Sequence, residues 1–347
     1  MAKGKHLVTG GAGYVGSHIV LALRDEGRDV IVVDNLSTGH RHGLPRDIPL
    51  LEGDIRDEVF LDSVFASHKI ESVIHAAAVA SVPESVADPQ RCHDINVEGT
   101  RRVIEMVCRH GVPFIVFSST STVYDEGASV PFSEETPLGP ISPYAVSKVD
   151  GEALLRASCA GSDVSLAGME HAGGASFAYV VLRYFNVGGA DPSMRAGDRK
   201  RSATTLIKSA LECAIGMRSH VALFGTDYET EDGTAVRDYV HVWDVARAHL
   251  LVLSYLEKGG RSDIMNIGVG RGFSVRDVIA SVRRVSGKEF VVVEEGRRAG
   301  DPPCIFGDVS RARDVIGFEA RYTTLDSIVR DGWRWETRMR ASRGVTA

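Results

Sequence analysis

Along the first half of the chain, short β-branched runs alternate with stretches whose apolar residues recur at helical spacing. "HLVTG" (6–10) reads as a strand, and Val15, Ile19, Ala22 and Leu23 then share one helical face, with Gly27 placed to end the helix. "DVIVVD" (29–34) is apolar without alternation, the pattern of a strand buried on both faces of a parallel sheet. "PLLEGDI" (49–55), "SVIHAAA" (72–78) and "PFIVFSS" (113–119) continue the series, with "INVEGTRRVIEMVCRHG" (95–111) as a helix closed by Gly111. Strands alternating with helices predict an α/β fold: a Rossmann-type doubly wound parallel sheet with right-handed crossovers.

The rhythm loosens later. "AGSDVSLAGMEHAGGAS" (160–176) reads as a surface loop and "FAYVVLRYFNV" (177–187) as another core strand. Beyond about residue 190 the elements are mixed, with one clear helix opening at Asp244 as N-cap and ending near Gly259. The expected division is a nucleotide-binding domain over 1–190 and a smaller mixed α/β lobe over 191–347, some of whose segments return to the first.

The 347 residues hold 40 Lys+Arg against 46 Asp+Glu, a net charge of −6, which argues against a general electrostatic grip on nucleic acid or an anionic membrane. No apolar segment approaches the length of a membrane span, and "MAKGKHLVTGG" runs straight into a strand. Cys92, Cys108, Cys159, Cys213 and Cys304 are scattered without a Cys-x-x-Cys pair, as expected of reduced thiols in a cytoplasmic protein. "GHRHG" (39–43) reads as a solvated loop rather than a metal site, so no metal is expected.

Two stretches carry candidate chemistry. In "LVTGGAGYVGSH" (7–18), Gly10, Gly13 and Gly16 follow the first strand and open a helix. Glycines there let the backbone turn sharply and approach a pyrophosphate, whose charge sits on the helix N-terminus. Asp34 closes the second strand, where a carboxylate binds both hydroxyls of an adenosine ribose and repels a 2′-phosphate, favouring NAD over NADP. Asp54 and Ile55 are placed to flank the adenine, and Ala76, Ala77 and Ala78 to let a cofactor pass closely. Asn96 is polar within an apolar helical pattern, either a cofactor contact or a partner for a nearby loop backbone. In "SPYAVSKVDGE" (142–152), Tyr144 and Lys148 stand four apart and so on one helical side, within reach of one ligand.

The glycine-rich turn, "HAAA", "FSST", "SPYAVSK" and "LRYFNVGGA" occur in the order found in the extended short-chain dehydrogenases/reductases, which the chain resembles from about residue 5 to 335. "FGTDYETEDGTAVRDYVHVWDVARAH" and "RRAGDPP" are similar to the branch that epimerises UDP-hexoses at C4. The resemblance implies Tyr144 as the base at the sugar 4′-hydroxyl, Lys148 as the nicotinamide-ribose ligand that lowers the tyrosine's pKa, and Thr120 as the hydroxyl between substrate and Tyr144. It adds Tyr14, Val15, Asn35, Ser118 and Tyr184 to the NAD contacts. For a UDP-sugar it implies Arg237 and Arg298 at the diphosphate, Phe224 on uracil, Asp301 at the uridine ribose, and Asn186, Thr205, Leu206 and Ile305 as further contacts. It also implies a homodimer paired through the helix of "INVEGTRRVIEMVC" and the helix after Tyr144.

The chain departs from the branch at three places. Ala80 stands where lysine is common, Thr205-Leu206 where Asn-Asn-Leu is frequent, and Ile305 has intermediate bulk where the sugar's 2′ substituent is limited. A C4 epimerase of UDP-N-acetylhexosamine or UDP-glucuronate therefore stays open. Thr120-Ser121-Thr122 lacks the carboxylates that a nucleotide-sugar 4,6-dehydratase carries there, and a silent NAD-binding regulator would not need the Thr-Tyr-Lys set.

Overall fold

Seven strands form the central sheet of the computed structural model, which describes residues 4–159, 177–200, 205–298 and 301–344. They are β1 (Lys5–Thr9), β2 (Val30–Asp34), β3 (Leu50–Glu52), β4 (Ile70–His75), β5 (Phe114–Thr120), β6 (Ala178–Tyr184) and β7 (Asp263–Ile267). Their order is β7-β6-β5-β4-β1-β2-β3, and every pairing from β5 to β3 is parallel. The unalternated runs follow from this: all five residues of β2 are buried. The order steps away from β1 in both directions, so the chain reverses its winding there and opens a crevice at the carboxyl ends of the strands. The loop expected over 160–176 lies outside the described residues.

By internal contacts the chain divides into two compact units, one of 1–125, 138–183 and 246–265, the other of 126–137, 184–245 and 266–347. The first contains the sheet, apart from Tyr184 of β6 and the last two residues of β7, and helices α1 (Tyr14–Asp25), α2 (Glu58–Ser67), α3 (Gly99–Arg109) and α4 (Pro143–Cys159). Leu7, Ile31, Val73, Ile104, Phe117 and Leu155 belong to its core. Gly27 and Gly111 take φ of 69° and 63° after α1 and α3, the left-handed turn that closes a helix. The helix expected from Ile95 begins earlier. Pro89–His93 runs through a widened π-turn at Asp94–Glu98 into α3.

In the second unit, helices Leu206–Ile215, Val275–Ser286 and Leu325–Gly344 pack through Ile207, Leu211, Val278, Val282, Ile328 and Val329. Strand Val236–Arg237 lies between Phe273–Ser274 and Cys304–Ile305, and Asn186–Gly188 pairs with Tyr239–His241. Asp244 is not the N-cap expected of it. The helix spans Val242–Glu257, and the Asp244 carboxylate, wholly buried, accepts from the Arg321 and Tyr322 N–H groups at 3.0 and 2.9 Å. A carboxylate serves loop amides as readily as a helix start, and only the approach of residues 321–322 decides between them.

Candidate active site

The strand ends of the first unit carry the first group of candidate residues. Gly10 leaves β1 with φ 69°, and a side chain there would strike the backbone of Ala76 and Ala77. A side chain on Gly16 would strike the Gly10 carbonyl. Gly13, at the N-cap of α1, offers no side chain to cap the first turn, which begins with Tyr14 and Val15. This cradle fits a dinucleotide pyrophosphate, because the helix end points its amides outward and only glycine permits the close approach.

Asp34 is 8% exposed; its Oδ2 accepts from Ala12 N–H at 2.9 Å and its Oδ1 from Leu36 N–H at 2.8 Å. Burial pushes its carboxyl up, opposed by those two hydrogen bonds. Each oxygen keeps lone-pair capacity for a ribose hydroxyl. Asn35 donates from Nδ2 to Asp54 at 3.0 Å, and the Arg56 guanidinium holds the Asp54 carboxyl at about 2. Ile55, beside it, is buried in the core.

Beyond β4, the Ala76–Ala78 run is braced from below. His75 is buried between Thr9 Oγ1, 2.6 Å from Nδ1, and Thr100 Oγ1, 2.9 Å from Nε2. Thr100 gives its own proton to the Asn96 carbonyl, so the Nε2–H tautomer is assigned to His75. Asn96 Oδ1 accepts from Val79 N–H at 2.7 Å, while Nδ2 donates to Val79 O at 3.0 Å and Ser147 Oγ at 2.8 Å. Its amide thus holds the loop after Ala78 against α4.

Tyr144 and Lys148 lie one turn apart on α4, as their spacing predicts. The Thr120 hydroxyl hydrogen-bonds the Tyr144 phenol and accepts from Thr122 N–H at 3.2 Å. Lys148, 3% exposed, donates from Nζ to the Ser118 carbonyl at 2.9 Å and sits 4.9 Å from the centre of the Phe117 ring. In the protein by itself, burial outweighs the one group that lowers the phenol. Burial pushes Tyr144 up to about 12 against the Thr120 hydrogen bond, and burial lowers Lys148 to about 8. Both shifts have one cause, the cost of placing a charge in this dry site.

The other sequence candidates lie in the second unit. Arg237 pairs with Asp301, and its strand partner is Ile305. The Arg298 guanidinium covers the Phe224 ring at 3.8 Å. Asn186 is joined through its backbone N–H to the Asp238 carbonyl at 3.0 Å, and Tyr184 ends β6. Thr205 occupies the N-cap of Leu206–Ile215 without a side-chain capping bond. Sequence reasoning missed Ser119, Glu152 and Arg183, three buried polar residues around α4. Glu152, one turn beyond Lys148, was the only visible sign of them. Among the described residues, no group of three His, Cys, Asp or Glu side chains is placed to hold a metal, and no helix is long and apolar enough to cross a membrane.

The NAD dependent epimerase/dehydratase family model matches residues 6–268. A UDP-glucose 4-epimerase of Azospirillum brasilense is 42% identical over 343 residues, covering 99% of this chain and 95% of that protein. The crystal structure of UDP-glucose 4-epimerase from Brucella ovis in complex with NAD is 37% identical with a TM-score of 0.88, over 96% of this chain and 98% of that one. That from Bifidobacterium longum, in complex with NAD+ and UDP, is 34% identical with a TM-score of 0.86, over 96% and 98%. With a family model matching most of its length and a relative 42% identical over 99% of it, the chain belongs to the NAD dependent epimerase/dehydratase family.

Proposed function

We propose that the protein is a UDP-glucose 4-epimerase, interconverting UDP-glucose and UDP-galactose by reversible oxidation at the sugar C4′. The observation that carries the reading is the Tyr144 phenol hydrogen-bonded to Thr120, one helical turn from a buried Lys148. The relatives that match nearly the whole chain support it.

NAD, when bound, supplies the acceptor and donor for the C4′ hydrogen, and its oxidised ring adds a positive charge that favours a phenolate. Residues Gly10, Gly13, Tyr14, Val15, Gly16, Asp34, Asn35, Asp54, Ile55, Ala76–Ala78, Asn96, Ser118 and Tyr184 would hold it, together with Lys148. Tyr144 takes the proton from the 4′-hydroxyl, with the Thr120 hydroxyl orienting both oxygens, and returns it to the same oxygen once the sugar has turned over. From about 12, ionising the phenol near pH 7 costs about 7 kcal/mol, so its nearest cations set the rate. Lys148 is the cation the chain itself provides.

Arg237, steadied by Asp301, and Arg298, laid on Phe224, are suited to grip a diphosphate and a uracil while the sugar turns. Asn186, Thr205, Leu206 and Ile305 complete this assignment, in which residues 191–347 serve mainly as the UDP-sugar lobe. A homodimer in the cytoplasm completes the reading, and light scattering that returns the mass of a single chain overturns the dimer. Incubating the pure protein with UDP-galactose and following the sugar by NMR tests the activity. Conversion to UDP-glucose is expected, and its absence in NAD-loaded protein rejects it.

A further inference from the structure

Three buried polar residues lie directly behind the catalytic pair. Glu152 is 3% exposed and stands on α4 one turn past Lys148 and two turns past Tyr144. Its Oε1 accepts from Ser119 Oγ at 2.6 Å and from Arg183 Nε at 3.0 Å, and its Oε2 accepts from Arg183 Nη2 at 2.5 Å. Arg183, 2% exposed on β6, lays its guanidinium 4.8 Å over the Tyr124 ring. Ser119 is the residue between Ser118, whose carbonyl holds Lys148, and Thr120, whose hydroxyl holds Tyr144.

We propose that Glu152 is a positioning residue for the reaction: it clamps the end of β5, which carries the Ser118 and Thr120 anchors, to the helix that carries Lys148 and Tyr144. The inference rests on the epimerase reading above. Stability alone does not explain the pair, since a buried ion pair is commonly matched or bettered by apolar residues of the same volume. What carboxylate and guanidinium add is direction. Two parallel hydrogen bonds and the serine fix the rotation of α4 against β5 and β6 at the height of the reacting groups. A catalytic oxygen displaced by a fraction of an ångström loses much of its effect.

The clamp also acts through charge. Lys148 is faced by the Cys92 thiol, which burial keeps neutral, by Glu152 and by neutral His75; burial lowers it, while the Glu152 carboxylate favours its protonated form. Removing the Glu152 charge should therefore release the lysine proton at lower pH.

The test uses the full-length NAD-loaded protein with Glu152→Gln and Ser119→Ala, and Tyr144→Phe as the inactive reference. Steady-state rates with UDP-galactose are measured across pH, and the ring carbon of labelled Tyr144 is titrated by NMR. Glu152→Gln should lower kcat about 10- to 100-fold with KM and NAD content nearly unchanged. Its alkaline limb should move down by about half a pH unit or more. Ser119→Ala, which keeps both charges, should lower kcat about 3- to 10-fold with that limb unmoved. Wild-type kcat and pH profile in both variants overturn the proposal, and Ser119→Ala decides alone if Glu152→Gln does not fold. Should the wild type leave UDP-galactose unchanged, the epimerase reading fails separately. The Tyr144 resonance then decides the clamp, a shift in the variants supporting it and identity with wild type rejecting it.

Discussion

Lys148 Nζ donates to the carbonyl oxygen of Ser118 at 2.9 Å, and this one dipole is the hydrogen bond that anchors a buried ammonium in the site. The fold therefore carries a charge that its surroundings disfavour, with burial bringing the lysine to about 8.

Lys148→Met is expected to stabilise the protein while abolishing turnover. The folded pKa lies below the ordinary value of 10.5, so the unfolded chain binds more protons between about 8 and 10.5. Wild-type stability relative to the variant should rise through that window by about 3 kcal/mol and stay flat below it. Denaturant titrations of both proteins at several pH values check this, and a difference that is flat throughout contradicts it.

Tyr144→Phe removes the phenol but leaves the Thr120 hydroxyl bonded to Thr122 N–H at 3.2 Å. Stability should change by about 1 kcal/mol or less, and NAD should remain bound. Turnover should fall about 10³-fold or more. Near-normal conversion of UDP-galactose would remove Tyr144 from its role.

Thr120→Ser and Thr120→Val separate the hydroxyl from the side-chain shape. Serine keeps the oxygen that meets Tyr144, so kcat should stay within about 3-fold. Valine keeps the volume and loses the oxygen, and kcat should drop about 10- to 100-fold. Equal rates in the two variants would show that the hydroxyl takes no part.

Asp34→Asn places an amide where two backbone N–H groups converge, from Ala12 at 2.9 Å and Leu36 at 2.8 Å. Its NH₂ must face one of them, costing about 1–3 kcal/mol of stability. NAD affinity should fall about 10-fold or more, with discrimination against NADP relaxed as the carboxylate charge disappears. Fluorescence titration with NADH and NADPH reads both effects.

Much of the first unit was legible because its signals are local. Buried parallel strands announce themselves as unbroken apolar runs, and Gly10, Gly27 and Gly111 mark turns by a conformation that other residues avoid. Tyr144 and Lys148 share a helical face by spacing alone. Asp244 misled because a carboxylate at a helix start looks the same whether it caps its own helix or holds residues 321–322. Glu152 and Arg183 passed unnoticed because charged residues are ordinarily solvated, and only the folded sheet brings positions 31 apart into one buried pair.

The order of apolar and polar residues by itself determined the parallel sheet, the glycine cradle and the helix bearing the Tyr-x-x-x-Lys pair, since each follows from backbone geometry over a few residues. The tertiary structure alone decided the state of the site. Desolvation and hydrogen bonding depend on everything packed around a group, so no local pattern could place the Tyr144 phenol at about 12, rest Lys148 on Ser118, or set an ion pair behind them.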